Sequence, residues 1–249
     1  MPRNKQVDWM DTQKVMGNLN RFELDRIAFI GRTYPEYMRM FALEESLLKR
    51  GPVLDCPGGS SSFVAEACEK GFGVTACDIL YNYPPEQLFE KGEEDIALVY
   101  QRANEVPHLF RWDYYKDRDE LITYRNKALE LFIADYPGGR TDGRYVQAEL
   151  PNLPFVDRAF TLVLSSHFLF LYGDRLSFDF HITSLKEMVR VSTGEVRVYP
   201  LQGLDAQSYL HMDKVLTFLR KGGIEAEMVK VPFEFQRGST EMLKLRRGK

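Results

Sequence analysis

The chain is poor in cysteine, with Cys56, Cys68 and Cys77 the only three among 249 residues. Their number is odd and their spacing fits no zinc-ligand pattern, so neither a disulfide framework nor a zinc module is expected to organise the fold. The four histidines are scattered, with no cysteine or carboxylate partners at ligand spacing, and no metal site is expected. No apolar run approaches the roughly 20 residues that cross a bilayer, which argues against a membrane partner. The opening ten residues hold Arg3, Lys5 and Asp8 and lack the apolar stretch of a secretory signal. Together these absences predict a soluble, cytosolic protein. Positive charge is not in excess either. Lys+Arg number 33 against 36 Asp+Glu, a formal net charge of -3. A general field for nucleic acid is therefore missing, and the basic end at Lys244, Arg246, Arg247 and Lys249 reads as a solvated tail. A nucleic-acid partner is not expected.

What the chain does have is apolar substance, 44% of its residues, enough to bury a sizeable core without covalent staples. The pattern predicts a single domain: an N-terminal helical cap over 1–50, a ligand-binding core over 51–200 with an insertion at 79–140, and a C-terminal helix and strand pair over 201–249. Residues 8–50 read as helices, one of them opening at Pro35, a first-turn residue. Then comes strand (Val53, Leu54, ending at Asp55), small-residue turn (56–62), helix (63–70) and strand (74–77, followed by Asp78). Strand and helix alternating at this spacing imply a parallel sheet with crossover helices. Tyr81, Tyr83, Pro84 and Pro85 read as a turn, and 117–134 as a helix. Strands are expected next at 145–148, 159–164 and 196–199, with a helix within 175–191 and another over 205–221. The stretches 224–235 and 242–245 read as an antiparallel pair. This is an α/β, doubly wound, mostly parallel sheet of seven strands.

The most informative stretch is Asp55-Cys56-Pro57-Gly58-Gly59-Ser60, where a strand gives way to a helix. Open α/β sheets bind ligands at the carboxyl ends of their strands. Gly58 and Gly59 let backbone approach a ligand closely, and N–H groups at the helix start can take a carboxylate or phosphate. Asp78 lies about 20 residues on, where an acid can hold both hydroxyls of a ribose. The dinucleotide pattern G-x-G-x-x-G is absent, and so is the Gly-Lys-Ser/Thr of a P-loop. A nucleoside ligand without phosphates is favoured, and S-adenosylmethionine is one.

On these residues the chain resembles the class I S-adenosylmethionine-dependent methyltransferases, across roughly residues 50–200. The Asp55–Ser60 turn is similar to that superfamily's first motif and Asp78 to its ribose-binding acid. The stretch Gln147-Ala148-Glu149-Leu150-Pro151 is similar to the segment at the adenine edge, and 157–166 to the fourth strand. The C-terminal pair fits the superfamily's reversed last strand. Gly31-Arg32-Thr33-Tyr34 and Glu36-Tyr37, with the Cys-Pro-Gly-Gly-Ser turn, resemble an uncharacterised bacterial branch of it. Three departures stand out: Cys56-Pro57 and a serine run in the first motif, Gln147 where an aspartate is usual, and Ser192-Thr193-Gly194 before the fifth strand.

The resemblance implies a Rossmann-like methyltransferase fold, S-adenosylmethionine as cofactor and a small-molecule methyl acceptor. The cofactor contacts it implies are Asp55, Cys56, Pro57, Gly58, Gly59, Ser60, Asp78, Ile79, Gln147, Ala148 and Ser165. His167, directly after the fourth strand, is the candidate general base, while His181 reads as structural. Arg32 and Tyr37 are placed to close over the cofactor, and Tyr81, Tyr83, Phe110, Trp112, Tyr114 and Tyr115 are candidates for an acceptor pocket. Two other readings stay open: an S-adenosylmethionine-binding protein that does not methylate, and a nicotinamide oxidoreductase.

Overall fold

A computed structural model describes residue 22 and residues 24–248. The expected helices upstream of that range lie outside the described residues. Within 24–50 the cap is helical only in α1 (Tyr34–Met40) and α2 (Glu45–Leu48). Residues 24–33 form an extended strap with no helix, which corrects the reading of this stretch as helical. Two causes are visible. Pro35 fits only the first turn of α1, so no helix passes through it from upstream. The strap's backbone is also claimed from outside. The Phe29 N–H donates to the buried Asp95 carboxylate at 2.7 Å, and the Ala28 N–H to the Tyr172 hydroxyl at 3.0 Å.

The core follows as β1 (Val53–Asp55), α3 (Phe63–Glu69) and β2 (Val74–Asp78). The insertion is two long helices, α4 (Pro85–Glu105) and α5 (Arg118–Thr141). Helix α4 went unread because Pro84-Pro85 signals a turn; here the turn is the start of the helix, with Pro85 in its first turn. Helix α5 runs past its expected end at residue 134 and carries Pro137 inside it. The lost backbone bond is offset by Tyr136, buried among Phe132, Tyr81 and Tyr145.

The second half is β3 (Tyr145–Gln147), β4 (Phe160–Ser166), α6 (Phe178–Val191), β5 (Ser192–Tyr199), α7 (Met212–Lys221), β6 (Ile224–Lys230) and β7 (Glu241–Arg247). Ser192-Thr193-Gly194 lies inside β5 and not before it. Gly194 passes so close to β4 that a Cβ would stand 2.3 Å from the Thr161 carbonyl oxygen, and the β4–β5 register shifts there. Helix α7 starts seven residues later than expected, because 201–209 folds back on itself through a Gln202–Ser208 bridge.

The strands form one sheet in the order β3-β2-β1-β4-β5-β7-β6. All are parallel except β7, which runs against both β5 and β6. This is a doubly wound, Rossmann-like, mostly parallel seven-stranded fold. Alternate strand residues feed two cores. Val53, Leu162, Leu164 and Met242 meet α3 and the insertion on one face, while Leu54, Val163, Val196 and Leu243 meet α6 and α7 on the other. The chain leaves β1 towards β2 on one side and β4 lies on the other, so a crevice opens where the order reverses, at the carboxyl ends of β1, β2 and β4. Among the described residues no helix is long and apolar enough to cross a membrane.

Candidate active site

That crevice is a cleft of about 390 Å³, within the range of nucleoside-sized sites. Its floor is the turn after β1, and Cys56, Pro57, Gly58 and Gly59 face it. One wall is the end of β2, with Asp78 and Ile79; another is the segment after β3, with Ala148, Glu149 and Leu150. Ser166 and His167 bring β4 to it, and the strap 27–32 roofs it.

The turn is shaped by packing and by hydrogen bonds. A Cβ on Gly58 would stand 2.5 Å from the Tyr81 hydroxyl and 2.8 Å from the Ala76 methyl. Gly59 takes φ +55, and the space beside it is open but for the Ile30 carbonyl at 3.7 Å. The Asp78 carboxylate accepts from the Gly59 N–H and the Leu80 N–H, both at 3.0 Å, one on each oxygen. Each oxygen keeps a lone-pair direction for a ligand. Burial raises the Asp78 carboxyl above its ordinary value, and those two N–H bonds pull against the shift.

Four N–H groups of the turn that leads into α3 are bonded inside the protein, whereas the sequence led us to expect the donors of this turn to be free. Gly59 gives to Asp78, Ser61 to the Gly58 carbonyl, Ser62 to the Arg32 carbonyl and Phe63 to the Ser61 hydroxyl. Two cations line the cleft, Lys91, which is held by Asp95 at 3.0 Å, and Arg32. Arg32 hydrogen-bonds the Gly31 carbonyl at 3.2 Å, and its nearest carboxylate oxygen, on Glu36, is 3.9 Å away. Most of its five donors have no partner among the described residues. Burial, then repulsion from Arg125, lowers its pKa to about 10, so it stays charged at neutral pH.

Four of the residues expected at the ligand do not face the cleft. Asp55 is fully buried beneath the floor, and the Tyr37 hydroxyl donates to its carboxylate at 2.9 Å. Burial, partly countered by that bond and reinforced by Asp78, raises its pKa to about 8. Ser60 is buried and donates to the Phe29 carbonyl at 3.2 Å, pinning the roof to the floor. Gln147 is exposed and points away from the cleft, whereas its neighbours Ala148 and Glu149 face it. Ser165 is buried within β4, its hydroxyl unpartnered. A strand's two-residue period explains the last two: Ser166 and Ala148 take the open side. Arg32 was anticipated at the cleft, and residues 27–30 of the strap were the chief omission. The run Ile27-Ala28-Phe29-Ile30 ahead of a glycine was the available signal for a buried extended segment.

His167 has a left-handed backbone, φ 51, one residue past β4, and its N–H donates to the Tyr199 carbonyl at 2.7 Å. The hydrogen bond with the Ser166 hydroxyl at 2.8 Å engages Nδ1, and Nε2 has no protein partner among the described residues. Burial, then Arg32 and Arg125, holds its pKa well below 6.5, so the imidazole is neutral at pH 7. His181, by contrast, is buried, with Nδ1 on the Ser177 carbonyl and Nε2 on the Leu169 carbonyl, a structural histidine.

No family model matches the chain. An uncharacterized protein of Methanocaldococcus jannaschii, MJ0045, is 34% identical over 219 residues, covering 88% of this chain and 95% of its own. Solved structures with the same layout are remote. A TehB-like SAM-dependent methyltransferase of Corynebacterium glutamicum is 15% identical at a TM-score of 0.42, over 82% of this chain and 86% of that one. The PH0226 protein of Pyrococcus horikoshii is 15% identical at 0.43, over 87% and 91%. At such scores the fold assignment rests on strand order and direction.

Proposed function

The chain belongs to the family of MJ0045, and from that premise and the geometry of its cleft we propose that it binds S-adenosylmethionine and transfers the methyl group to a small-molecule acceptor. The observation that carries this reading is the Asp78 carboxylate, only 7% exposed, facing the cleft opposite Gly58 and Gly59 with lone pairs to spare. A vicinal diol matches that pair of acceptors. Ile79, half exposed beside it, offers an apolar face to a base, and the backbone of 148–150 borders the base's edge. The cofactor's carboxylate goes to Arg32, a guanidinium that lines the cleft, since the N–H groups of Gly59, Ser61, Ser62 and Phe63 in the turn are already bonded. Bound there, the cofactor supplies an electrophilic methyl on a sulfonium sulfur. The protein's own part is to orient, to exclude water under the strap, and to hold a neutral imidazole beside the acceptor. Asp55, Ser60 and Ser165 serve this reading as supports for the floor and roof, and Gln147 leaves it.

Calorimetry with S-adenosylhomocysteine is the test. Asp78→Asn loses a charged acceptor for two hydroxyls, worth about 1.5–3 kcal/mol, so affinity should fall about ten- to a hundredfold. Equal affinity in a variant with native circular dichroism, or tighter binding of NADH than of S-adenosylhomocysteine by the unaltered protein, overturns the reading.

A further inference from the structure

The two ends of the strap are fixed differently. Among the described residues, 24–30 make no backbone–backbone hydrogen bond, and the hydrogen bonds on their backbone come from side chains. Arg175 donates to the Leu24 carbonyl, Tyr172 accepts from the Ala28 N–H, Asp95 accepts from the Phe29 N–H, and Ser60 donates to the Phe29 carbonyl. From Gly31 onwards backbone meets backbone. Gly31 is pressed against the Ser60 carbonyl with no room for a Cβ, and the Ser62 N–H donates to the Arg32 carbonyl at 3.2 Å. Asp95 of α4 gathers the largest share at the upstream end. One carboxylate oxygen accepts from the Arg26 guanidinium at 2.7 Å, and the other accepts from the Phe29 N–H at 2.7 Å and the Lys91 ammonium at 3.0 Å. These are charge-assisted bonds on a fully buried acceptor.

We propose, resting on the reading of the cleft as the cofactor site, that residues 24–30 are a gate hinged at Gly31 and latched by Asp95, and that Asp95 is a positioning residue that sets how often the cleft stands open. Asp95 itself does not line the cleft. The need for a gate follows from the floor. Cys56, Gly58 and Asp78 are buried although they face the cleft, while Ile27 and Ile79 at its mouth are about half exposed. A nucleoside that reaches Asp78 has to pass the strap. The latch is also built to release. Lys91 lies one turn before Asp95 on the same helix, so it stays with the carboxylate when the strap lifts, and no buried charge is stranded. Arg26 has a second carboxylate beside it, the exposed Glu94 at 4.0 Å, so the departing cation is not orphaned either. A segment tied down by side chains alone opens at lower cost than the sheet beneath it, and opening of this kind governs ligand passage.

The test compares the full-length protein with Asp95→Asn in two measurements. The first is amide hydrogen exchange without ligand, read residue by residue. Ala28 and Phe29 should both exchange at least tenfold faster in the variant, although only Phe29 donates to Asp95. The amides of Ser62, at the hinge, and Cys56, in the floor, should keep their protection. Acceleration at Phe29 alone means a single lost bond and no gate, and equal acceleration at Ser62 means no hinge; either overturns the proposal. The second is the binding kinetics of S-adenosylhomocysteine by surface plasmon resonance. Association and dissociation should both become at least threefold faster in the variant, because the open form is more populated. Unchanged or slower association overturns the proposal, since a residue that only stabilises the bound site speeds dissociation alone. If Asp95→Asn does not fold, Arg26→Gln replaces it, as it takes one strap contact from the latch and leaves Lys91 on Asp95. Failure of S-adenosylhomocysteine to bind the unaltered protein strikes the cofactor reading instead, and the exchange measurement still decides the gate.

Discussion

Gly31 and Gly58 carry similar backbone duties at two sides of the same cleft, and their surroundings rank them. A Cβ on Gly31 would stand 1.9 Å from the Ser60 carbonyl oxygen and 2.2 Å from its carbon, both backbone atoms that cannot swing aside. A Cβ on Gly58 would meet the Tyr81 hydroxyl and a methyl. Tyr81 can shift only by giving up its bond to the Gly59 carbonyl at 2.7 Å. Gly31→Ala should therefore cost about 2–4 kcal/mol in urea unfolding, more than Gly58→Ala, as overpacking against backbone does. It should also loosen S-adenosylhomocysteine at least tenfold, because the strap lifts from the turn. Stability equal to the unaltered protein would refute the strap–turn contact. At this scale the sequence was partly readable. Gly58 and Gly59 were marked as giving a ligand clearance, which suits Gly59 and its open side. Gly58 answers first to Tyr81 and Ala76. The Gly31 contact joins residues 29 apart and leaves no local trace.

Between elements, the feature that decides is the buried cluster joining α1 to α5. Glu36 in α1 accepts from Arg125 in α5 at 2.6 Å, and from the Thr33 N–H and hydroxyl at 2.8 Å, with Tyr115 at its other side. Burial pushes the Glu36 carboxyl up, but Arg125, backed by Arg32 and Thr33, pulls it further down, and the net lies below the ordinary value. Arg125→Met would leave that carboxylate buried with one distant cation, a loss of about 3–5 kcal/mol. Glu36→Gln added to it removes the orphaned charge, so the double variant should be more stable than the sum of the singles implies. A double-mutant cycle by urea unfolding reads this directly, and additive losses would mean the pair is not coupled. The pattern of strands was legible because apolar runs with small-residue turns are local signals. The cluster was not, since Glu36 at helix position three reads as an ordinary first-turn acid. Helix α4 was missed at its prolines, and the burial of its Asp95 likewise depends on a distant partner, the strap placed against it.

Over the whole molecule, ionisation sets how stability follows pH, and the buried groups act in opposite directions. Glu36 has a lowered folded pKa, so its contribution is present above the unfolded value and is lost as pH falls. His167 is held neutral in the fold while the unfolded chain protonates near pH 6.5, so it too withdraws stability on acidification. Asp55 works the other way. Its folded pKa is raised to about 8, whereas the unfolded carboxyl ionises near 3.9. Between those values the folded state keeps a proton that the unfolded state releases. Its contribution is therefore full below pH ~4 and declines towards pH ~8, by at most about 1.4 kcal/mol per pH unit. Asp78, raised in the same sense, adds to the alkaline decline. The expected profile is a dome with its crest on the mildly acidic side of neutral. Asp55→Asn still accepts from the Tyr37 hydroxyl but has no proton to lose, so it isolates one limb. Urea midpoints from pH 5 to pH 9 should fall clearly for the unaltered protein and much less for the variant, with the two curves drawing together at the acid end. Parallel curves would mean that Asp55 is already ionised in the fold at neutral pH, and that the floor of the cleft carries a second negative charge beside Asp78.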